Sequence, residues 1–210
     1  MADLQALADG LIRGDRNAVA DLTRQALDEG VAPEEILNKG LVAGMDVVGK
    51  RFKANEIYVP EVLIAARAMK AAMEILKPKL EEAGVQPVAT VVLGTVKGDL
   101  HDIGKNLVGM MLIGGGFNVV DVGTDVAPEK FVASCKAEGA KVCALSALLT
   151  TTMPQMGAIV KAVKDAGLAV KTIIGGAPVT QSYADEISAD GYAPDAASAV
   201  DVVRQLVGVA

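Results

Sequence analysis

Apolar residues recur at intervals of three and four positions along the first part of the chain. Three such stripes precede a fourth, which follows Pro60 and runs to Pro78. This spacing is typical of helices that bury one face. The segments between the stripes contain Gly, Asp, Asn or Pro, which interrupt helices. The pattern therefore predicts a four-helix bundle with short loops over residues 1–84.

Short continuous apolar runs replace the stripes from Val88 onward, as expected for strands that are buried on both faces. These runs lie at 88–94, 117–122, 142–145, 170–175 and, more weakly, 190–193. Helical stretches alternate with them, at 104–113, 128–139, 152–167 and 196–206. Alternating strands and helices predict right-handed crossovers and a parallel sheet. Residues 85–210 are therefore predicted to form a doubly wound, Rossmann-like α/β domain, joined to the bundle by residues 81–87.

Charge and composition exclude several classes of protein. The formal net charge is −6, and Lys and Arg do not cluster, which argues against a nucleic-acid partner. No apolar run approaches ~18 residues, and the first residues lack a basic region followed by an apolar one, so we expect neither a membrane span nor export. Cys135 and Cys143 show no CxxC spacing. We therefore expect a cytoplasmic protein.

The only histidine, His101, lies in the stretch GDLHDIGKN, with Asp99 two positions before it and Asp102 directly after it. The stretch falls between the first predicted strand and the next helix, where doubly wound sheets bind ligands. It is not a Walker A loop, because five residues separate Gly98 from Gly104, and it contains no GxGxxG. Nucleotide binding is therefore the weaker interpretation.

Several roles for His101 remain open. Its imidazole could pair with Asp99 or Asp102 and cap the helix. A catalytic base lacks a matching nucleophile, since no Gly-x-Ser-x-Gly elbow occurs. A zinc site lacks ligands, since the chain has one histidine and two separated cysteines. Another possibility is a metal that arrives with most of its coordination filled, bound by one imidazole whose tautomer a carboxylate fixes.

Three short motifs follow the predicted strands in order: Asp99-x-His101-x-x-Gly104, Ser146-x-Leu148 and Gly175-Gly176. Together they resemble the signature of cobalamin-binding domains, with the order and spacing of methionine synthase. Residues 52–76 are similar to the helical cap that precedes its cobalamin domain. The resemblance implies a bound cobalamin or related corrinoid, as methylcob(III)alamin or cob(I)alamin. Its nucleotide tail would enter the α/β domain, and His101 would bind cobalt as the lower axial ligand.

The resemblance also implies roles for individual residues. Asp99 would hydrogen-bond the other imidazole nitrogen of His101, and Thr152 would supply the hydroxyl that completes this catalytic group, where the family usually has serine. The further residues implied to contact the corrinoid are Thr95, Gly98, Asp102, Ile103, Gly104, Ser146, Leu148, Thr150, Gly175 and Gly176. Phe52 and Val59 match cap positions that shield the upper face of the corrin, and core packing is the alternative for both.

The length and the bundle resemble those of stand-alone corrinoid proteins of methanogens and acetogens. The resemblance implies a methyl-carrier subunit rather than a complete enzyme. Its partners would be a substrate:corrinoid methyltransferase, which uses methanol, a methylamine or a methoxyl donor, and a second methyltransferase, which uses tetrahydrofolate or coenzyme M. A reductive activase would be the third partner. A cobalamin-dependent sensor or regulator stays open as the alternative, and a mutase subunit is a further one.

Overall fold

A computed structural model of the chain describes residues 3–209, which form two compact units. The first unit contains residues 3–87 and Ile113–Gly116, and the second contains Val88–Leu112 and residues 117–209. The domain boundary between residues 84 and 85 stays a prediction. None of the helices in the described part is long and apolar enough to cross a membrane.

The first unit is built from helices, as its apolar stripes predict. They are α1 (Leu4–Ile12), α2 (Arg16–Asp28), α3 (Pro33–Glu35), a π-helical segment (Ile36–Val42), α4 (Ala43–Lys53) and α5 (Val59–Glu82). The stretch from α3 to α4 is continuously helical, so the described part of this unit has four helical segments: α1, α2, α3 to α4, and α5. Asp3 and Asp15 begin α1 and α2 because their carboxylates accept hydrogen bonds from backbone amides in the first turn.

The predicted end of the last bundle helix at Pro78 is wrong. The helix α5 continues through Pro78 to Glu82, so the connection to the second unit is shorter than predicted. Proline removes one backbone hydrogen bond from a helix interior, so its presence favours a helix end. The apolar stripe continues past it, since Leu76 and Leu80 are both buried, and this burial favours the helix over the break.

The second unit contains a five-stranded parallel sheet, and the predicted Rossmann-like fold is confirmed. The strands are β1 (Thr90–Val96), β2 (Asn118–Val126), β3 (Val142–Ser146), β4 (Lys171–Gly175) and β5 (Gly191–Ala193). The connecting and final helices are α6 (Ile103–Gly114), α7 (Pro128–Ala137), α8 (Pro154–Asp165), α9 (Gln181–Glu186) and α10 (Ala196–Val207). The buried core includes Val92 and Cys143 from the strands and Phe131, Met156 and Ile159 from the helices.

Two elements of this unit differ from the sequence prediction. The strand β2 extends to Val126, whereas the apolar run indicated an end at residue 122. Polar residues interrupt its pattern because β2 is an edge strand with a largely accessible surface. The short helix α9 was not predicted, since six residues are too few for a clear periodicity; it begins where the Thr180 hydroxyl accepts a hydrogen bond from the Tyr183 amide.

The strand order β2-β1-β3-β4-β5 places a topological switch between β1 and β3. The chain leaves β1 toward β2 and then crosses to β3 on the other side of β1. The loops that follow β1 and β3 consequently diverge, and a crevice opens at the carboxyl ends of these strands. The stretch GDLHDIGKN follows β1 directly, so the fold places it at the switch point.

Candidate functional site

The three sequence motifs meet at one edge of the sheet. Thr95 near the end of β1 pairs with Ser146 at the end of β3, and Ser146 pairs with Gly175 at the end of β4. Because the strands are parallel, the residues that follow these three positions emerge on the same side. The His101 loop, the segment after Ser146 and the Gly175-Gly176 pair therefore border one site.

Asp99 is the centre of the site, and its carboxylate is fully buried. Its Oδ1 accepts hydrogen bonds from the His101 ring Nδ1 at 2.7 Å and from the His101 amide at 3.1 Å. Its Oδ2 accepts hydrogen bonds from the Leu148 amide at 2.8 Å, the Leu149 amide at 3.3 Å and the Thr152 hydroxyl at 2.8 Å. Each carboxylate oxygen thus serves a different segment of the chain.

The hydrogen bonds keep Asp99 ionised. Burial alone would raise the pKa of this carboxyl group, because a charge loses hydration inside a protein. The hydrogen bonds from the Leu148 amide, from the His101 ring and amide and from the Thr152 hydroxyl outweigh burial and hold the pKa well below its usual range. An ionised carboxylate only accepts hydrogen bonds, so the proton between the two side chains belongs to His101 Nδ1.

The imidazole of His101 is left with one open nitrogen. Its side chain is 51% exposed, and Nε2 receives no hydrogen bond from any residue of the described chain. The Thr95 hydroxyl donates a hydrogen bond to the His101 carbonyl at 2.8 Å and so holds the backbone of the loop from the strand side. With Nδ1 protonated, the lone pair of Nε2 is available to an external ligand.

Asp102 has a different role from Asp99. It is exposed, and its carboxylate accepts a hydrogen bond from the Asn106 side chain at 3.1 Å, while its carbonyl accepts one from the Asn106 amide at 2.7 Å. Asp102 therefore accepts hydrogen bonds from Asn106 near the start of α6. Of the two carboxylates that flank His101 in sequence, the structure pairs Asp99 with the imidazole.

Thr152 is buried and lies between two acceptors, Asp99 Oδ2 at 2.8 Å and the Leu149 carbonyl at 2.9 Å. It lies just before α8, and the predicted helix start at residue 152 moves to Pro154. Ser146 is half-buried at the end of β3, whereas Leu148 and Thr150 are exposed. Leu148 thus contributes its backbone amide to Asp99 and presents its side chain to the surface.

The glycines of the motifs are required for different reasons. A Cβ atom on Gly176 would lie 1.9 Å from the Ala147 carbonyl oxygen, and one on Gly175 would lie 3.0 Å from the Ala193 carbonyl oxygen. These two residues are needed for close contact between neighbouring backbones. A Cβ on Gly104, in contrast, would meet no atom within 4 Å. Nothing in the second unit itself excludes a side chain at Gly104.

Large apolar side chains are exposed on the two loops that contain His101 and the Asp99-binding amides. Leu100 is 74% exposed and Ile103 is 79% exposed, and Leu148 and Leu149 are also exposed. Such a group of accessible apolar side chains on a folded protein marks a binding surface. Leu100 and Leu149 were not singled out from the sequence. Their apolar character at the end of predicted strands was the only available signal.

Two family models match the two parts of the chain. A model described as B12 binding domain matches residues 89–201, and a second model with the same description matches residues 3–77. A corrinoid protein of Desulfitobacterium hafniense is 40% identical over 213 aligned residues, which cover 99% of each chain. The chain belongs to the B12-binding corrinoid proteins.

Two further comparisons show similarity to a trimethylamine corrinoid protein and to a chain of a methyltransferase complex. Trimethylamine corrinoid protein 1 of Methanosarcina acetivorans is 42% identical over 203 residues, which cover 95% of this chain and 94% of that protein. A chain of the methanol:cobalamin methyltransferase complex of Methanosarcina barkeri matches with a TM-score of 0.86 at 29% identity, over 98% of this chain and 79% of that one. The chain is a corrinoid protein that binds cobalamin or a related corrinoid.

The donor set of the site fits a corrinoid. No group of three His, Cys, Asp or Glu side chains within residues 3–209 could hold a bare metal ion. A metal at His101 therefore has to bring its other ligands with it, as the cobalt of a corrinoid does. A hydrogen bond from one ring nitrogen to a carboxylate, as between His101 Nδ1 and Asp99, is a usual arrangement of a metal-binding histidine. The open space beside Gly104 and the exposed Leu100 and Ile103 suit an apolar macrocycle.

Phe52 and Val59 lie in the first unit, and both are partly buried. Phe52 is on the last turn of α4, and Val59 begins α5. Asn55, with a φ of 56°, allows the turn between them. Their place above the corrin stays a prediction.

Three charged residues that were not predicted from the sequence link β2 to α6 and to the loop that follows β1. Lys105 is buried in α6 and forms an ion pair with Asp121 of β2, and its Nζ also donates to the Asn106 side chain at 2.8 Å. Asp125 of β2 accepts a hydrogen bond from the Gly98 amide at 2.7 Å. The two aspartates interrupt the apolar run of β2, and this interruption was the signal that could have revealed them.

Proposed function

We propose that the chain carries a methyl group between two separate methyltransferases while the group is bound to the corrinoid. One partner would transfer the methyl group from methanol, a methylamine or a methoxyl donor, and the other would pass it to tetrahydrofolate or coenzyme M. A reductive activase would restore the corrinoid after oxidation. The observation that carries this proposal is the single open nitrogen of His101, in a chain similar to a trimethylamine corrinoid protein and to a chain of a methanol:cobalamin methyltransferase complex.

A bound corrinoid supplies a cobalt centre that can accept and release a methyl group. His101 would bind the cobalt through Nε2. Asp99 would hold the Nδ1 proton and thereby keep Nε2 unprotonated and directed away from the carboxylate. Thr152 and the Leu148 amide keep Asp99 in place from the opposite oxygen. The exposed Leu100 and Ile103 would exclude water beside the ligand.

Contacts to the rest of the corrinoid would come from the carboxyl edge of the sheet. Gly104 offers space, and Ser146 and Thr150 offer hydroxyl groups at and after the end of β3. The Thr95 hydroxyl is buried and bonded to the His101 carbonyl, so Thr95 would act by holding the loop. Phe52 and Val59 would cover the opposite face of the corrin when residues 1–84 act as a cap. We place the chain in a reducing cytoplasm, in keeping with the two free thiols Cys135 and Cys143.

Two measurements test this function. In the cob(II)alamin form, the unpaired electron couples to an axial nitrogen, so ¹⁵N labelling of histidine should change the splitting of the electron paramagnetic resonance spectrum. Because His101 is the only histidine, the assignment is unambiguous in a protein without a histidine tag. Affinity purification from the cells that make the chain should also recover a methyltransferase. A spectrum insensitive to the label would contradict the role of His101.

The methyl donor is tested with the recovered methyltransferase and the reduced, corrinoid-loaded chain. Methanol, each methylamine and a methoxylated aromatic compound are supplied in turn, and the visible spectrum reports methylation. One donor should methylate the chain rapidly while the others do not. Failure of every donor with every recovered methyltransferase would contradict the carrier function.

A further inference from the structure

The edge strand β2 leaves its regular register twice beside the carboxyl end of β1. The pairs on either side of these steps are Leu93 with Asp121, Gly94 with Gly123, and Val96 with Val126. At each step β2 contains one residue more than β1 does. Bulges of this kind bend a strand and redirect its side chains, and they are frequent next to functional sites.

Asp125 occupies the second bulge in a left-handed conformation, with a φ of 54°. Asp and Asn tolerate this conformation better than other residues with a side chain. The bend brings Asp125 against the loop that follows β1. Its Oδ1 accepts a hydrogen bond from the Gly98 amide at 2.7 Å, and its own amide donates to the Asp99 carbonyl at 2.9 Å. The two hydrogen bonds enclose Gly98 and Asp99 from both ends.

The bulge itself is held by contacts that do not involve the His101 loop. Lys130 Nζ donates a hydrogen bond to the Val122 carbonyl at 2.8 Å. Asp121 Oδ1 accepts one from the Gly123 amide at 2.9 Å, and Asp121 Oδ2 pairs with the buried Lys105. These contacts anchor β2 to α7 and α6. The bulge can therefore act as a fixed support for the loop that follows β1.

The loop that follows β1 needs such a support because it contains Gly98 near its start. Gly98 has a φ of 83°, and glycine has access to more backbone conformations than any other residue. A rotation at Gly98 would move the backbone that carries both Asp99 and His101. The hydrogen bonds to Leu148, Leu149 and Thr152 hold only Asp99 Oδ2. The Thr95 hydroxyl and the Val96 carbonyl hold the loop backbone at the His101 carbonyl and the Asp99 amide, and Asp125 holds it at the Gly98 amide.

We propose that Asp125 is a positioning residue for His101. By holding Gly98 and Asp99, Asp125 sets the loop so that Asp99 Oδ1 meets His101 Nδ1 and the imidazole keeps the tautomer with an open Nε2. Asp125 acts through Asp99 and does not touch the ligand-binding nitrogen. This role rests on the proposed function of His101 as the cobalt ligand.

The test uses the corrinoid-free protein, in which the sole histidine gives one set of imidazole signals. Asp125→Gly removes the carboxylate and keeps the left-handed backbone without strain. Asp125→Asn keeps an oxygen acceptor for the Gly98 amide and also tolerates the left-handed backbone. Ser188→Gly is the matched control, because Ser188 is also left-handed, with a φ of 56°, and lies at the end of α9. None of the three changes removes a buried apolar side chain, so all three variants should fold.

Nuclear magnetic resonance of ¹⁵N-labelled histidine measures the tautomer and the solvent exchange of the Nδ1 proton at a pH where the imidazole is neutral. In the wild type, Asp125→Asn and Ser188→Gly, the Nδ1–H tautomer should dominate and exchange slowly. In Asp125→Gly, the Nε2–H tautomer should appear, and exchange should become about tenfold faster, the effect of losing one hydrogen bond to a charged group. Urea unfolding should show similar stability for the two glycine variants.

Unchanged His101 signals in Asp125→Gly would overturn the role of Asp125. A change of equal size in Asp125→Asn would also overturn it, because the acceptor is still present there. An equal change in Ser188→Gly would show a general effect of glycine and have the same consequence. These outcomes are separate from the proposed function, which fails instead when the wild-type cob(II)alamin spectrum shows no histidine nitrogen.

Discussion

The imidazole of His101 is tied to the carboxylate of Asp99 by a hydrogen bond of 2.7 Å between Nδ1 and Oδ1. Asp99 is fully buried and His101 is half exposed, so the pair spans the boundary between the protein interior and the site. One nitrogen of the ring is thereby fixed by the protein, and the other is left for a ligand.

Replacing His101 with alanine should separate corrinoid binding from cobalt ligation. Most of the affinity should come from the large contact surface of the corrinoid, since one coordinate bond contributes less. His101→Ala should therefore weaken binding by about 10- to 100-fold without abolishing it. Equilibrium titration followed by visible absorption measures the affinity, and the cob(II)alamin spectrum of the variant should lack the histidine nitrogen. Complete loss of binding with the fold intact would contradict this division.

Replacing Asp99 with asparagine should destabilise the corrinoid-free chain. The two carboxylate oxygens accept hydrogen bonds from opposite sides, and asparagine has only one acceptor oxygen, so buried donors lose a partner. The free energy of unfolding should fall by about 2–4 kcal/mol. Asp102→Asn is the matched control, because Asp102 is exposed, and it should cost less than about 1 kcal/mol. Urea unfolding of both variants makes the comparison, and equal losses would argue against the central role of Asp99.

Alanine at Gly104 and at Gly176 should have opposite effects on the corrinoid-free chain. A Cβ at Gly176 would meet the Ala147 carbonyl at 1.9 Å, and its φ of 133° is unsuited to alanine, so Gly176→Ala should destabilise the chain by about 2 kcal/mol or more. Gly104 lies in α6 with open space beside it, so Gly104→Ala should stabilise the chain by up to about 1 kcal/mol.

Corrinoid binding separates the two glycines further. If the ligand occupies the space beside Gly104, Gly104→Ala should weaken corrinoid binding although the fold becomes more stable. Thermal unfolding without corrinoid and titration with corrinoid give the two quantities. Unchanged affinity in Gly104→Ala would mean that the corrinoid does not approach this position.

Asp190 should make the stability of the second unit depend on acid pH. Burial alone would raise its pKa, but hydrogen bonds from the Thr172 amide, Lys171 and the Thr172 hydroxyl lower it below the usual value. The folded state therefore favours the carboxylate. Its stabilising contribution is present above the unfolded pKa of about 3.9 and is lost as the pH falls through the lower pKa of the folded state.

The variant Asp190→Asn should accordingly be less stable than the wild type by about 1–2 kcal/mol at neutral pH, and this difference should shrink below about pH 4. Urea unfolding of both proteins at a series of pH values measures this difference in stability. Amide hydrogen exchange of β4 and β5 at the same pH values shows whether the loss is local to these strands. Asp165→Asn controls for the loss of one exposed negative charge. A difference that grows as the pH falls would contradict the lowered pKa of Asp190.

The sequence by itself determined the two kinds of architecture and the place of the site. Periods of three to four residues indicate helices up to position 76, and continuous apolar runs indicate buried strands from Val88, because these patterns reflect which faces lose contact with water. The position of His101 directly after the first strand indicated the carboxyl edge of the sheet. The three motifs pointed to a corrinoid only through their resemblance to the signature of cobalamin-binding domains.

Only the tertiary structure decided how the residues of the site divide their roles. Asp99 and Asp102 both flank His101 in sequence, and only the family resemblance favoured Asp99 as the partner of the imidazole; in the structure Asp99 forms this hydrogen bond and Asp102 accepts one from Asn106 of α6. The need for Gly176 comes from the carbonyl of Ala147, which is distant in sequence. Asp125 reaches Gly98 because β2 bulges beside β1. Such contacts depend on strand register and on the packing of separate segments, and no local pattern of side chains encodes them.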